Sequence, residues 1–166
     1  CTRTCPKGLN PAKAIAETVG TVCQELGTAV PRISIEPGRA IAGASTFTLY
    51  RVGVVKPVTL EDGTLRTYVS VDGGMSDNPR PIMYGAGYTA VIANRVSRAA
   101  PVLCRIVGKH CESGDIVIRD IELPGDIAPG DMLAVPGSGA YGRALASNYN
   151  PVPRLPAGRG VRILVA

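Results

Sequence analysis

A chain of 166 residues with 45% apolar side chains is long enough for one hydrophobic core and short for two independent domains. Six tyrosines, one phenylalanine, no tryptophan, 20 glycines and 14 prolines suit short strands joined by turns and argue against a helical bundle. The formal charge of +5 comes from scattered lysines and arginines without interleaved aromatics, which disfavours a nucleic-acid partner.

In chain order, the first predicted element is a helix. Asn10 can cap it, Pro11 is tolerated in its first turn, and Ile15, Val19, Val22, Cys23 and Leu26 form one apolar stripe ending before Gly27. On that stripe Cys23 reads as a core residue. Next, Arg32-Ile-Ser-Ile-Glu36 alternates between Pro31 and Pro37 and predicts a strand that presents Glu36 at its end. Helix followed by strand suggests the tail of an α/β layer, and the pattern changes near Gly43. From Ser45 onward strands are expected at Thr46 to Val55, Leu65 to Val71, Tyr88 to Arg95, Val102 to Val107, Asp115 to Ile121, Met132 to Val135 and Arg162 to Val165. Turn signals at Asp62-Gly63, Ser113-Gly114, Pro124-Gly125 and Pro129-Gly130 separate them, so residues 45 to 166 are expected to form a predominantly antiparallel β-domain.

The cysteines Cys1, Cys5, Cys23, Cys104 and Cys111 form an odd set without framework spacing. With no signal peptide and no apolar run of membrane-spanning length, a cytoplasmic setting without membrane contact is expected. A first residue that is not Met, and a last strand cut short at Ala166, suggest a piece of a longer chain.

Four stretches hold more polar and glycine content than strand turns require: Glu36-Pro-Gly-Arg39, Asp72-Gly-Gly-Met-Ser-Asp-Asn-Pro-Arg-Pro81, His110-Cys-Glu-Ser-Gly-Asp115, and Gly139-Ala-Tyr-Gly142 followed by Ser147-Asn-Tyr-Asn150. Each has an ordinary reading. Glu36 can be a solvated strand end, Arg80 an exposed turn residue, Cys111 an inert buried thiol and Tyr141 a half-buried structural tyrosine. Gly137 to Gly142 also fits G-x-G-x-x-G, but neither a βαβ unit nor a later acidic residue supports a dinucleotide site. His110 beside Cys111 lacks further ligands at workable spacing, so no metal is expected.

Taken together and in this order, the four motifs resemble the fold-type-III pyridoxal-phosphate decarboxylases, and within them the diaminopimelate decarboxylases, over about Arg32 to Asn150. The resemblance implies a (β/α)8 barrel completed by a C-terminal β-barrel or sandwich domain. Residues 1–43 then correspond to the barrel's last α/β units, and residues 44–166 to the mainly β domain. It further implies pyridoxal 5'-phosphate as cofactor, with Glu36 facing the ring nitrogen, Gly38 letting the backbone approach the phosphate, and Arg39 binding either phosphate or substrate carboxylate. Arg80, with Tyr84 beside it, would grip a substrate carboxylate. Cys111 would reprotonate the α-carbon, Glu112 would pair with the distal ammonium, and the Tyr141 hydroxyl would reach phosphate and substrate. The implied reaction takes carbon dioxide from meso-diaminopimelate to give L-lysine. In this family the Cys-Glu loop enters the neighbouring subunit's site, which implies a homodimer.

Relatives that act on ornithine or arginine usually carry Asp after the Cys, where this chain has Glu112. A non-catalytic binding or dimerisation module is the reading from another class. Lys7, Lys13, Lys56 and Lys109 do not stand in the context of the family's cofactor-linking lysine. The fragment alone is therefore expected to be inactive.

Overall fold

A computed structural model of the chain describes residues 11–34, 36, 38–156 and 158. Cys1, Cys5, Lys7, the Asn10 cap and the strand expected at Arg162 to Val165 lie outside the described residues, as do Ile35 and Pro37 of the segment around Glu36.

Helix α1, Pro11–Glu25, begins on the proline, whose fixed φ suits a first helical position. It stops where Gly27 takes φ +65°: the Thr28 N–H bonds Cys23 O at 2.9 Å and the Gly27 N–H bonds Gln24 O at 3.2 Å, closing the last carbonyls. The apolar stripe forms but stays largely uncovered, with Ile15 39%, Val22 45% and Leu26 71% exposed and Cys23 only half-buried. The reading of Cys23 as a core residue is corrected accordingly. So is the strand expected at Arg32 to Glu36, because residues 31–34 and 36 have no regular structure. A strand needs a neighbour for its N–H and C=O groups, and none of the described strands pairs with this segment. The chain then turns through α2, Arg39–Ala42, and a 3-10 turn at Gly43–Ser45.

Six strands follow: β1 Phe47–Thr59, β2 Leu65–Val71, β3 Val91–Ile92, β4 Pro101–Val107, β5 Ile116–Pro124 and β6 Met132–Pro136. They make one curled sheet in the order β3-β6-β1-β2-β4-β5. Strand β1 joins its two halves, since Phe47 to Arg51 pair with β6 and Val52 to Thr59 pair with β2, with an irregularity between Val52 and Val55. It runs past the expected end at Val55 and through Pro57. A proline is tolerated there because β1 has β2 on one side only at that point.

Four of the five strand pairings are antiparallel, whereas β2 and β4 run parallel, from Thr67 opposite Cys104 to Ser70 opposite Val107. Only a tight hairpin forces antiparallel pairing, and the connection from Asp72 to Ala100 is long enough to cross over. The strand expected over Tyr88 to Arg95 shortens to Val91–Ile92. Beyond it the Asn94 side chain replaces the ladder, accepting the Met132 N–H at 2.9 Å, and Arg95 turns to Asp126 and Asp131.

Alternate positions face inward, so Thr67, Val69 and Val71 of β2 are buried while their neighbours are half-covered. Val69 and Val71 join Tyr50, Cys104, Ile106, Leu123, Leu133 and Val135 in the core.

Candidate active site

The polar stretches gather in two places at the rim of the sheet. The first joins segments about a hundred residues apart. Arg39, in the first turn of α2, donates from Nη1 to Gly137 O at 3.2 Å and from Nη2 to Ala140 O at 2.8 Å. Its guanidinium carbon lies 5.8 Å from the centre of the Tyr141 ring. Tyr141 itself sits at φ 64°, a left-handed conformation that costs a non-glycine residue about 1 kcal/mol or more, at the start of helix α4, Gly142–Leu145. A Cβ on Gly38 would strike the Tyr141 hydroxyl, so a glycine is what permits this approach. Gly38, Arg39 and Tyr141 thus form one corner. Glu36, two residues away, is exposed and makes no hydrogen bond or ion pair with the described residues.

The second place is built from three loops. The loop after β2 turns back on itself, with the Gly74 N–H on Asp77 Oδ1 at 2.8 Å and the Asn78 N–H on Gly74 O at 2.9 Å. Gly74 has φ 151°, and a Cβ there would lie 2.5 Å from Asp115 Oδ1 and 2.8 Å from His110 Nδ1. Asp115, only 4% exposed, is the knot between this loop and the one before β5. Its Oδ1 accepts the Met75 N–H at 2.7 Å, and its Oδ2 accepts both the His110 N–H and His110 Nδ1–H at 2.8 Å. The Lys109 N–H adds a bond to Gly73 O at 3.0 Å. The third loop closes over them: the Ser147 N–H bonds Ser76 O at 2.8 Å, and the Tyr149 ring lies 5.9 Å from that of His110.

Beneath the knot, the Tyr50 hydroxyl donates to Asp77. Burial raises the pKa of the Asp77 carboxyl above the usual carboxylate range. Burial first, then the Asp77 charge, pushes the Tyr50 phenol well above its ordinary value.

This frame carries Arg80 and Tyr84 on one loop and Cys111 and Glu112 on the other. The Asp72 to Pro81 segment, expected as an interrupted turn, ends in a single helical turn, α3, Arg80–Tyr84, closed by Gly85 at φ 61°. Along it the Arg80 guanidinium lies 5.1 Å from the Tyr84 ring centre, and Arg80 Nε is buried without a partner among the described residues. Ile82 of α3 reaches the other loop, where a Cβ on Gly114 would meet its Cδ1 at 2.5 Å. Cys111 and Glu112 form the exposed tip of that loop, and the Glu112 N–H turns back onto His110 O at 2.8 Å.

The structure therefore gathers Gly38, Arg39 and Tyr141 in one corner, and holds Arg80 and Tyr84 against the Cys111 and Glu112 loop in another. The segment from Tyr141 to Tyr149 runs between the two. Open hollows of about 410 and 450 Å³ lie elsewhere, around Arg51, Asp72 and Gly130 and around Leu60 to Asp62. The candidate site is an open face, with one guanidinium and a phenol in one corner and a thiol, a carboxylate, a guanidinium and a second phenol in the other. Sequence reading passed over Asp115, Asp77, Ser76 and Tyr50, and took His110 only as a poor metal ligand. The one signal for Asp115, Asp77, Ser76 and His110 was a polar residue close to glycines, whereas Tyr50, in β1, carried none.

Comparison with known proteins places the chain in a family. The profile described as "Pyridoxal-dependent decarboxylase, C-terminal sheet domain" matches residues 44–139. The chain is 53% identical over 148 residues to diaminopimelate decarboxylase of Mycobacterium tuberculosis, covering 87% of this chain and 33% of that protein. It is 48% identical over 140 residues to that of Bacillus subtilis, covering 84% of this chain and 31% of the relative. Among solved structures, diaminopimelate decarboxylase of Helicobacter pylori complexed with L-lysine superposes with a TM-score of 0.62 at 32% identity, over 82% of this chain and 32% of that one. Arginine decarboxylase of Paramecium bursaria Chlorella virus, at 20% identity and a TM-score of 0.60 over 79% of this chain and 34% of that one, shares the fold. The chain spans about a third of the length of the curated relatives it matches.

Proposed function

We propose, from the premise that this chain belongs to the pyridoxal-dependent decarboxylases and contains their C-terminal sheet domain, that it forms one half of a diaminopimelate decarboxylase active site. The complete protein would release carbon dioxide from meso-diaminopimelate and leave L-lysine. The observation that carries this reading is that one carboxylate, Asp115, ties the loop leading into the half-buried Arg80 to the loop with the exposed cysteine-glutamate tip. A substrate that bears both a carboxylate and an ammonium at its distal end needs one fixed charge of each sign, and Arg80 and Glu112 supply them.

The first corner fits pyridoxal 5'-phosphate. Gly38 leaves the backbone bare beside the Tyr141 hydroxyl, and two hydrogen bonds to carbonyls leave Arg39 further N–H groups for an anion. Gly38, Arg39 and Tyr141 would hold the phosphate, Glu36 the ring nitrogen. When bound, the cofactor supplies a protonated ring that takes up the electrons left as carbon dioxide departs. Arg39 and Tyr141 would also meet the substrate.

Cys111 would deliver the proton to the α-carbon, and its exposure in this chain accords with a group that acts on something outside its own fold. The same exposure at Glu112 favours a homodimer in which the loop enters the partner's site. Residues 1–43 are assigned to the end of the (β/α)8 barrel and 44–166 to the sheet domain. The uncovered stripe of α1 supports this, as a surface for the rest of a barrel. A cytoplasmic setting is proposed for such an enzyme; among the described residues no helix is long and apolar enough to cross a membrane.

An ornithine or arginine substrate is disfavoured by Glu112 and by Arg80, which would be left unpaired. The test is lysine and carbon dioxide production from meso-diaminopimelate by the complete parent chain with pyridoxal phosphate. No turnover of it, with turnover of ornithine or arginine, would overturn the substrate assignment.

A further inference from the structure

We propose that His110 and Asp115 are the positioning pair of this site, with the His110 Nδ1–H to Asp115 bond holding the Cys111 and Glu112 tip at a fixed place beside Arg80. The inference rests on the reading of Cys111, Glu112 and Arg80 as substrate-facing groups, and gives a task to two residues which that reading leaves without one.

The geometry is specific. Both side chains are sealed, His110 at 0% and Asp115 at 3% side-chain exposure. Asp115 Oδ2 takes two bonds from the same residue, the backbone N–H and Nδ1–H of His110, each at 2.8 Å. That fixes both the chain direction entering Cys111 and the orientation of the ring. Asp115 Oδ1 meanwhile holds the Met75 N–H at 2.7 Å, on the loop that leads into Arg80. One carboxylate therefore spans the two loops that carry the reacting groups. The bond made by Nδ1 leaves Nε2 as the other ring nitrogen, buried and without a partner among the described residues. The ring stands between Asp115 and the Tyr149 ring 5.9 Å away, so all three loops converge on it. Misplacing a reacting group by about 1 Å costs about a hundredfold in rate, which is what such a clamp prevents.

The two nitrogens can be separated by substitution. An Asn side chain places an N–H near the position of Nδ1, whereas Gln places its amide nearer that of Nε2. In the complete enzyme His110→Asn should retain turnover of meso-diaminopimelate within about fivefold, while His110→Gln and His110→Ala should lose about a hundredfold. The loss should appear in kcat and in KM together, because the proton donor and the ammonium partner move together, with affinity for pyridoxal phosphate unchanged. A role in packing alone would treat Asn and Gln alike. Hydrogen exchange supplies a readout independent of activity: the Met75 and His110 amides should stay protected in the wild type and His110→Asn and exchange faster in His110→Gln, with the β1 and β2 amides unaffected. Equal losses in all three variants, or no loss in any, would overturn the pair. If the wild-type enzyme leaves diaminopimelate unchanged, the substrate reading fails, and the order of amide protection alone then supports or overturns the clamp.

Discussion

On the proposed reading the specificity of the site rests on Arg80 and Glu112, and their removal should have different consequences. In Arg80→Ala the distal carboxylate of diaminopimelate loses its cation, so catalytic efficiency should fall by about two to three decades. Turnover of lysine or ornithine, which lack that carboxylate, should change far less, narrowing the ratio of efficiencies between the substrates. Glu112→Ala should weaken both classes, since each carries the amine. Steady-state kinetics on the two substrates measures this, and an unaltered ratio in Arg80→Ala would remove the assignment. Cys111→Ala should slow or misdirect protonation about a hundredfold without loss of cofactor binding, as product analysis would show. At this scale the sequence draws attention to an uncommon residue in a glycine-rich setting, as at Arg39 or Cys111, and the structure sets Arg39 in one corner with Gly38 and Tyr141 and Cys111 at an exposed loop tip. Asp115 was illegible, because a buried carboxylate is recognised by the amides around it, and one of these, the Met75 N–H, comes from a loop forty residues away.

At the scale of elements, period-2 alternation located β2 at Leu65–Val71 to the residue, while boundaries governed by distant partners were missed. The strand expected at Tyr88 to Arg95 failed because Asn94 and Arg95 bond to the turn before β6. Arg95 donates to Asp131 Oδ2 at 2.7 Å and to Asp126 Oδ2 at 2.8 Å, tying the end of β3 to the β5–β6 connection. The Arg95 hydrogen bond, ahead of the burial that opposes it, holds the Asp131 carboxyl down at about 2. An unfolded Asp titrates near 3.9, so the pair's stabilisation is complete above about pH 4 and is lost as pH falls through about 2. Arg95→Met should lower the thermal midpoint by about 5 °C at neutral pH and flatten the acid limb between pH 4 and 2. Calorimetry over that range checks it; an unchanged acid limb would show that Arg95 is not the cause. The parallel pairing of β2 with β4 was equally hidden, since alternation reports which face is buried and not which way a neighbour runs.

For the whole molecule, the sheet was legible from composition and turn signals, and the helical end was legible as an amphipathic pattern whose stripe the described residues leave largely uncovered. The chain holds donors for a phosphate but no lysine in the family's context. Titration of the fragment with pyridoxal phosphate should therefore leave no single lysine trapped stoichiometrically by borohydride. A single modified residue in the peptide map would contradict that. The central claim is that this chain contributes the Cys111 and Glu112 half of a shared diaminopimelate decarboxylase site, and it is tested most directly by mixing two inactive full-length chains. One would carry Cys111→Ala, and the other would lack the cofactor-linking lysine of the barrel. If each subunit lends its loop to the other, random reassociation should restore about a quarter of the wild-type formation of L-lysine from meso-diaminopimelate. Activity no greater than that of either variant alone would contradict the account.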